Sequence, residues 1–382
     1  MTGTDAPARQ VPWVKVAVWV VLAAVAIGLP QALGVSEVNR LSVVIWWATA
    51  ALGLALLTGY NGQISLGHGA FVGIGAYTTM ILTVDYNMPY AVAGIIAVIG
   101  AFLVGLVIGL PALRITGIYL ALVTLALATL FPQIVIRLGD ITGASVGRTL
   151  VPREGYGDYA RLEEVGRRRF LATEGFRAPE WTGLADDQWR YYVFLVIAVV
   201  VFLLVRNLVN SRVGRGLVAI RDNETAAEVA GVPTSKYKVL TFGVSAGIAA
   251  VGGWMFAVLN DGVSPTSFTI VLSITLLVAA VLGGVNSIIG PVIGAGFIVI
   301  LRESIPAESQ RYTNVIFGLA LIVLILVAPG GIVGLYRKYS ARWRGKRAAG
   351  VAASPLEQAA ADPTAVDPGT LDPDPTDEST SP

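Results

Sequence analysis

The chain has 382 residues, of which 55% are hydrophobic and 14% charged, with a mean hydropathy of +0.70 and a formal net charge of +2. A soluble domain carries about 25% charged residues, so an ordinary soluble domain is excluded, and the net charge is too small to point to nucleic acid. Zero cysteines exclude disulfides, thiolate metal sites and a cysteine nucleophile.

Apolar runs of about 18 or more residues recur, the signature of transmembrane helices. Lipid leaves backbone groups no partner but their own helix, and the alternation of a membrane barrel is absent. The reading is an all-α polytopic membrane protein. Spans are predicted at 14–34, 41–58, 68–84, 89–111, 116–138, 190–208, 238–259, 269–283, 288–303 and 314–335. No small-residue cleavage site follows the first, so it is read as a span rather than a signal peptide. The third, eighth and ninth are short or broken by glycine, the pattern of a re-entrant or interrupted helix. Residues 1–13 form an N-terminal tail. Residues 339–382 form a second tail whose end, from about Gly350, is acidic, rich in proline and devoid of Lys and Arg, and so is expected to be disordered.

Orientation follows from basic residues near span ends. The segment 209–237 carries Arg212, Arg215, Arg221 and Lys236, flanked by Arg206 and Lys238, and the segment after the tenth span carries Arg337, Lys338, Arg342, Arg344, Lys346 and Arg347. Both should be cytoplasmic. Four spans lie between them and six precede the first, which also puts the N-terminus, with Arg9 and Lys15, inside. The segment 139–189 then lies outside despite seven arginines, which nine acidic residues offset. Ten spans divide into two five-helix halves of opposite orientation, the arrangement of an inverted repeat. A faint echo runs between Asn61-Gly62-Gln63-Ile64-Ser65-Leu66-Gly67 and Asn286-Ser287-Ile288-Ile289-Gly290.

The segment 209–237 holds a short helix with caps. Asp222 or Asn223 can accept the orphan N–H groups at its start, and Glu224 lies in the first turn, where the helix dipole favours it. Gly231 suits the left-handed residue that ends the helix, and Pro233 blocks its resumption. Ala226, Ala227 and Ala230 give a small, smooth face that could seat in a groove on a partner. An ordinary connecting helix would look the same.

Polar residues at membrane depth face a bundle interior or a cavity. Gln63, Ser65 and His68, with Asn286 and Ser287, are candidates for a translocation path or its gate, as is Tyr119, near Arg114 in an inside turn. His68 has a plainer reading as an interhelical hydrogen bond that fixes packing. One histidine without clustered carboxylates or cysteines makes no metal site. No phosphate-binding loop and no nucleophile elbow is present, so catalytic residues are not expected and the chain should not hydrolyse ATP by itself.

The string from Gly214 through Arg221-Asp222-Asn223-Glu224 to Gly231 resembles the coupling segment of ABC importer permeases, specifically the LivM-type permeases of the branched-chain amino acid importer family. Further matching stretches are Gly59-Tyr60-Asn61-Gly62-Gln63-Ile64-Ser65-Leu66-Gly67-His68-Gly69-Ala70-Phe71, Leu113-Arg114-Ile115-Thr116-Gly117-Ile118-Tyr119, Leu282-Gly283-Gly284 with Gly290-Pro291, and Pro329-Gly330-Gly331. The resemblance covers about residues 38–338. It departs at Thr142-Gly143-Ala144-Ser145-Val146-Gly147, where the family usually has Thr-Gly-Gly-Ser-Asn-Gly, and in the long external segment with Arg167-Arg168-Arg169. Both lie where a delivery protein should dock.

The resemblance implies a permease domain over 14–338 in a bacterial plasma membrane, with both termini cytoplasmic. It implies a second, LivH-like permease, two ATPases that carry ATP and Mg, and an extracytoplasmic substrate-binding protein. No cofactor is expected on this chain. Arg221, Asp222, Asn223, Glu224, Ala226, Ala227, Glu228 and Gly231 would then couple it to the ATPases. The substrate would be a branched-chain or related hydrophobic amino acid. A urea or short-amide importer permease and an ion-coupled secondary transporter are the alternatives.

Overall fold

The computed structural model describes residues 13–113, 118–150 and 176–304, with Val315, Gly318, Leu319, Gly331 and Gly334. The chain divides into units Met1–Val333 and Gly334–Pro382, the second described only at Gly334. Outside the described residues lie the tail 1–12, Arg114, most of the external segment, the tail 339–382 and, apart from those five positions, the span 314–335.

Twelve α-helices are described: α1 Trp13–Ala32, α2 Val35–Ala55, α3 His68–Tyr86, α4 Tyr90–Gly109, α5 Ile118–Arg137, α6 Gly139–Thr142, α7 Asp186–Asn210, α8 Arg212–Asp222, α9 Glu224–Val229, α10 Thr234–Asn260, α11 Ile270–Gly283 and α12 Gly290–Glu303. Among the described residues, five helical stretches are long and apolar enough to cross a membrane: Val35–Tyr60, Tyr90–Gly109, Tyr119–Arg137, Asp186–Asn210 and Thr234–Asn260. The chain is an all-α, multi-pass membrane protein. A single two-residue ribbon, β1 Arg148–Thr149 antiparallel to β2 Gly262–Val263, is the sheet structure among these residues.

The core is built around α10, which packs on α2, α3 and α4. Between lipid-like surfaces the hydrophobic effect supplies little association, so helices are held by close van der Waals approach at small residues. The seam between α10 and α3 is made this way. A methyl group on Gly253 would overlap the carbonyl oxygen of Val72, and one on Gly75 would overlap that of Ala250.

Polar residues stitch the same helices. Ser245 Oγ on α10 donates to Gly53 O on α2 at 2.5 Å, so it accepts from His68 Nε2 at 3.0 Å. That assigns the imidazole proton to Nε2 and leaves Nδ1 without a partner. Ser245→Ala should cost about 1–3 kcal/mol, because it strands a buried N–H. A lowered melting temperature of the purified protein in detergent would show it, and an unchanged one would mean that His68 has another acceptor.

Side-chain contacts sort the inter-helix segments to two ends. At one, Arg148 Nη2 pairs with Asp85 Oδ2 at 3.1 Å, Tyr90 OH donates to Asp261 Oδ1 at 3.1 Å, and Arg190 Nη2 donates to Asn39 Oδ1 at 3.0 Å. At the other, the segments following α2 and α11 meet the end of α8. Helices α11 and α12 have 14 residues each, or about 21 Å, short of the roughly 30 Å hydrocarbon layer.

Element ends differ from the expectation where charge is involved. The span read as 41–58 is helical from Val35 and continues as a π-helix over Leu56–Tyr60. Its early charges are accommodated, Arg40 pairing with Glu303 at 3.2 Å.

Candidate coupling site

Helix α8 begins at Ser211, whose hydroxyl accepts from the backbone N–H of Val213 and Gly214 at 3.1 and 3.4 Å. Leu217 and Ile220 lie on its buried face. Leu217 packs in a cluster with Leu52, Leu56, Val205 and Ile248, which seats the helix against the ends of α2 and α7 and the middle of α10.

A single extended residue, Asn223, joins α8 to α9. Its φ of −160° breaks the first helix, and its side chain caps the second, accepting from Ala226 N at 3.0 Å. Of the two predicted caps, Asn223 makes this bond, while Asp222 turns to Arg221, holding Nε and Nη2 at 2.9 and 2.8 Å. The far end closes at Gly231, with φ of +80°. There Gly231 N donates to Glu228 O and Val232 N to Ala227 O, both at 2.9 Å. The helix therefore spans 224–229 rather than 222–231.

The alanines do not share one face. Ala227 is buried, while Ala226 and Ala230, four residues apart, are exposed beside Val229, itself 86% exposed. At 100° per residue, positions 226, 229 and 230 fall on one side and 227 on another. The loop's outer surface is thus small and apolar, with Val229 at its tip. Next to it lies a shallow depression of about 400 Å³ lined by Glu228 and residues 231–236.

Two acidic side chains bind the loop to α10. Glu228 Oε1 accepts from Thr234 Oγ1 at 2.7 Å. Glu224 forms a salt bridge with Lys238, which is almost wholly buried. Glu224→Ala leaves the buried Lys238 ammonium uncompensated, whereas Lys238→Met leaves a carboxylate that is 38% exposed and can be solvated. Glu224→Ala should therefore destabilise the protein by about 2 kcal/mol more than Lys238→Met. Equal melting temperatures for the two variants would contradict this.

The candidate path residues scatter. Tyr119 is 73% exposed on α5. Ser65 accepts from Gly67 N at 3.4 Å. Gln63 is buried with both amide atoms unpaired, as is Asn61. Asn286 is exposed and Ser287 buried, in the segment between α11 and α12. Of the predicted residues, the structure brings Arg221 and Asn286 together: Arg221 Nη1 donates to Asn286 Oδ1 at 2.9 Å and to Gly59 O at 2.8 Å. The sequence did not single out Thr124 and Ser273, whose hydroxyls accept from Leu66 N and Gly69 N at 2.9 Å each. Their signal is a hydroxyl in an apolar helix, which by itself names no partner.

A family profile described as "Branched-chain amino acid transport system / permease component" matches residues 37–326. The chain belongs to this permease family. Its relatives include the high-affinity branched-chain amino acid transport system permease protein LivM of Escherichia coli, 28% identical over 83% of this chain and 75% of that one. BraD of Pseudomonas aeruginosa, a permease protein of the same description, is 27% identical over 78% of this chain and 94% of its own. LivH of Escherichia coli is 25% identical, with the same coverage. No solved structure matches. Membership makes the chain a transport permease component rather than an enzyme, and the profile spans both the α8–α9 loop and the segments it touches.

Proposed function

We propose that this permease is the transmembrane subunit of an ATP-driven importer that moves branched-chain or related hydrophobic amino acids into the cytoplasm. The observation that carries the reading is the α8–α9 loop. It is capped by Asn223, stopped by Gly231, tied to α10 through Glu224 and Lys238, and tipped by exposed Val229. A rigid, small-faced helix anchored to the central helix is what a soluble motor needs in order to push on a membrane bundle.

In this reading segment 209–237 is cytoplasmic and takes the force of two ATPase chains, which carry the ATP and Mg. A second, LivH-like permease completes the membrane unit, and an extracytoplasmic binding protein delivers substrate to the other end. The chain is placed in a bacterial plasma membrane with both termini inside, its ten spans in two inverted halves. Residues 59–60, just before one echoing stretch, meet residues 285–286, at the head of the other, which supports the pairing of those halves. ATP supplies the free energy, and the permease contributes the difference in stability between its outward and inward states.

The test is purification of the tagged chain from its native membrane in mild detergent, followed by ATP-dependent uptake in proteoliposomes with leucine and with urea. Co-purifying ATPases and leucine uptake support the proposal. Isolation of the chain without any ATPase across several detergents would overturn it, and uptake of urea alone would move the substrate.

A further inference from the structure

We propose that Arg221 is a positioning residue that pins the coupling loop to the two broken-helix segments 59–62 and 284–289, so that loop and segments move as one body. The proposal rests on the importer reading above and adds to it a transmission link.

Three stretches far apart in sequence converge on one guanidinium. Nη1 donates to Gly59 O at 2.8 Å and to Asn286 Oδ1 at 2.9 Å. Nε and Nη2 are held by Asp222 Oδ1, which fixes the plane of the group. Tyr60 OH closes the triangle by donating to Asn286 O at 3.2 Å. Bare glycines permit the approach. Gly62, at φ +72°, lies so close that a methyl group there would stand 2.8 Å from Arg221 Cγ, and one on Gly59 would overlap Val285 O.

The placement matters because only Asp222 and Asn223 separate Arg221 from α9, the helix a motor would push. On its other side the pin holds segments that are not regular helix. The first runs from the π-helix ending at Tyr60 to Gly67, before α3, and carries the buried, unpaired amides of Asn61 and Gln63. Unpaired amides mark a segment whose hydrogen bonds are incomplete in this state. The second lies between α11 and α12, where Gly284 has φ of +106°. A planar fork can hold a carbonyl, an amide and a carboxylate at once, whereas a lysine ammonium on a flexible stem cannot fix the same geometry.

The experiment uses the complete complex in proteoliposomes, with leucine uptake and ATP hydrolysis measured on the same preparation. Wild-type complex comes first: without ATP-driven uptake there, the importer reading itself fails, separately from the pin. Given wild-type activity, Arg221→Lys and Asn286→Ala should assemble with the ATPases and hydrolyse ATP within about twofold of wild type, yet take up at least tenfold less leucine per ATP. The double variant should be no worse than the poorer single. Asn286→Asp keeps an acceptor for the guanidinium and should retain the wild-type ratio. Uptake and hydrolysis falling together in the Lys and Ala variants, or an unchanged ratio in both, would overturn the proposal, as would loss of the ratio in Asn286→Asp.

Discussion

Gly253→Val should remove the folded protein from the membrane fraction. The α10–α3 seam has no room for a side chain, since even a methyl group at 253 would overlap the Val72 carbonyl oxygen and stand about 3.0 Å from Ala76 N. That neighbour is backbone and cannot rotate away, so α10 would have to withdraw from α3. Overpacking commonly costs about 1–3 kcal/mol and sometimes more, and a backbone clash in the most buried of the five membrane-length helices belongs at the upper end. Gly253→Ala should already lower the melting temperature in detergent. Gly296→Ala is the control: it meets nothing within 4 Å and should be neutral or slightly stabilising. Equal accumulation of the 253 and 296 variants would contradict the packing argument.

The second large effect is expected at the opposite kind of glycine. Gly231 has open space around it, so its requirement is conformational, a φ of +80°. Proline is locked near −65° and lacks the N–H that donates here to Glu228 O. Gly231→Pro should leave insertion and membrane level unchanged while reducing uptake at least about a hundredfold, because the end of α9 and the turn into α10 are lost. Gly231→Asn, which tolerates the left-handed region, should retain most of the uptake. Normal uptake by the proline variant would sink the assignment of this loop as the coupling element.

These two glycines mark what the sequence could and could not reveal. Gly231 was legible because its cue is local: a cap-forming Asn223 before it and Pro233 after it. Gly253 was one of many glycines in apolar runs, and its meaning lies in Val72, 181 residues away. The same holds for His68, whose partner Ser245 is 177 residues distant. Apolar runs located the membrane-length helices, and the largest slips in their ends fall where charges such as Glu37, Asp186 and Lys236 sit inside a first turn. No helix is predicted over 212–222, where Gly214 and Gly216 weaken the helical signal. In the structure both are buried, Gly214 against Val209 and Gly216 against the Tyr237 ring, so they serve packing rather than breaking the helix. Arg221 was legible as a basic residue of the loop. That it reaches inward to Gly59 and Asn286 is a matter of tertiary geometry that no spacing encodes.

Helix α10 has 27 residues, or about 40 Å of continuous rod, with the α8–α9 loop at its beginning and the β-ribbon just beyond its end. Its tightest neighbours, met at Gly243, Ser245 and Gly253, fall in its middle third or just past it. A lever gripped near its fulcrum swings its tips in antiphase. Any tilt of α10 about that grip that carries the loop end one way carries the ribbon end the other, so one stiff element links the two ends of the bundle in opposite senses.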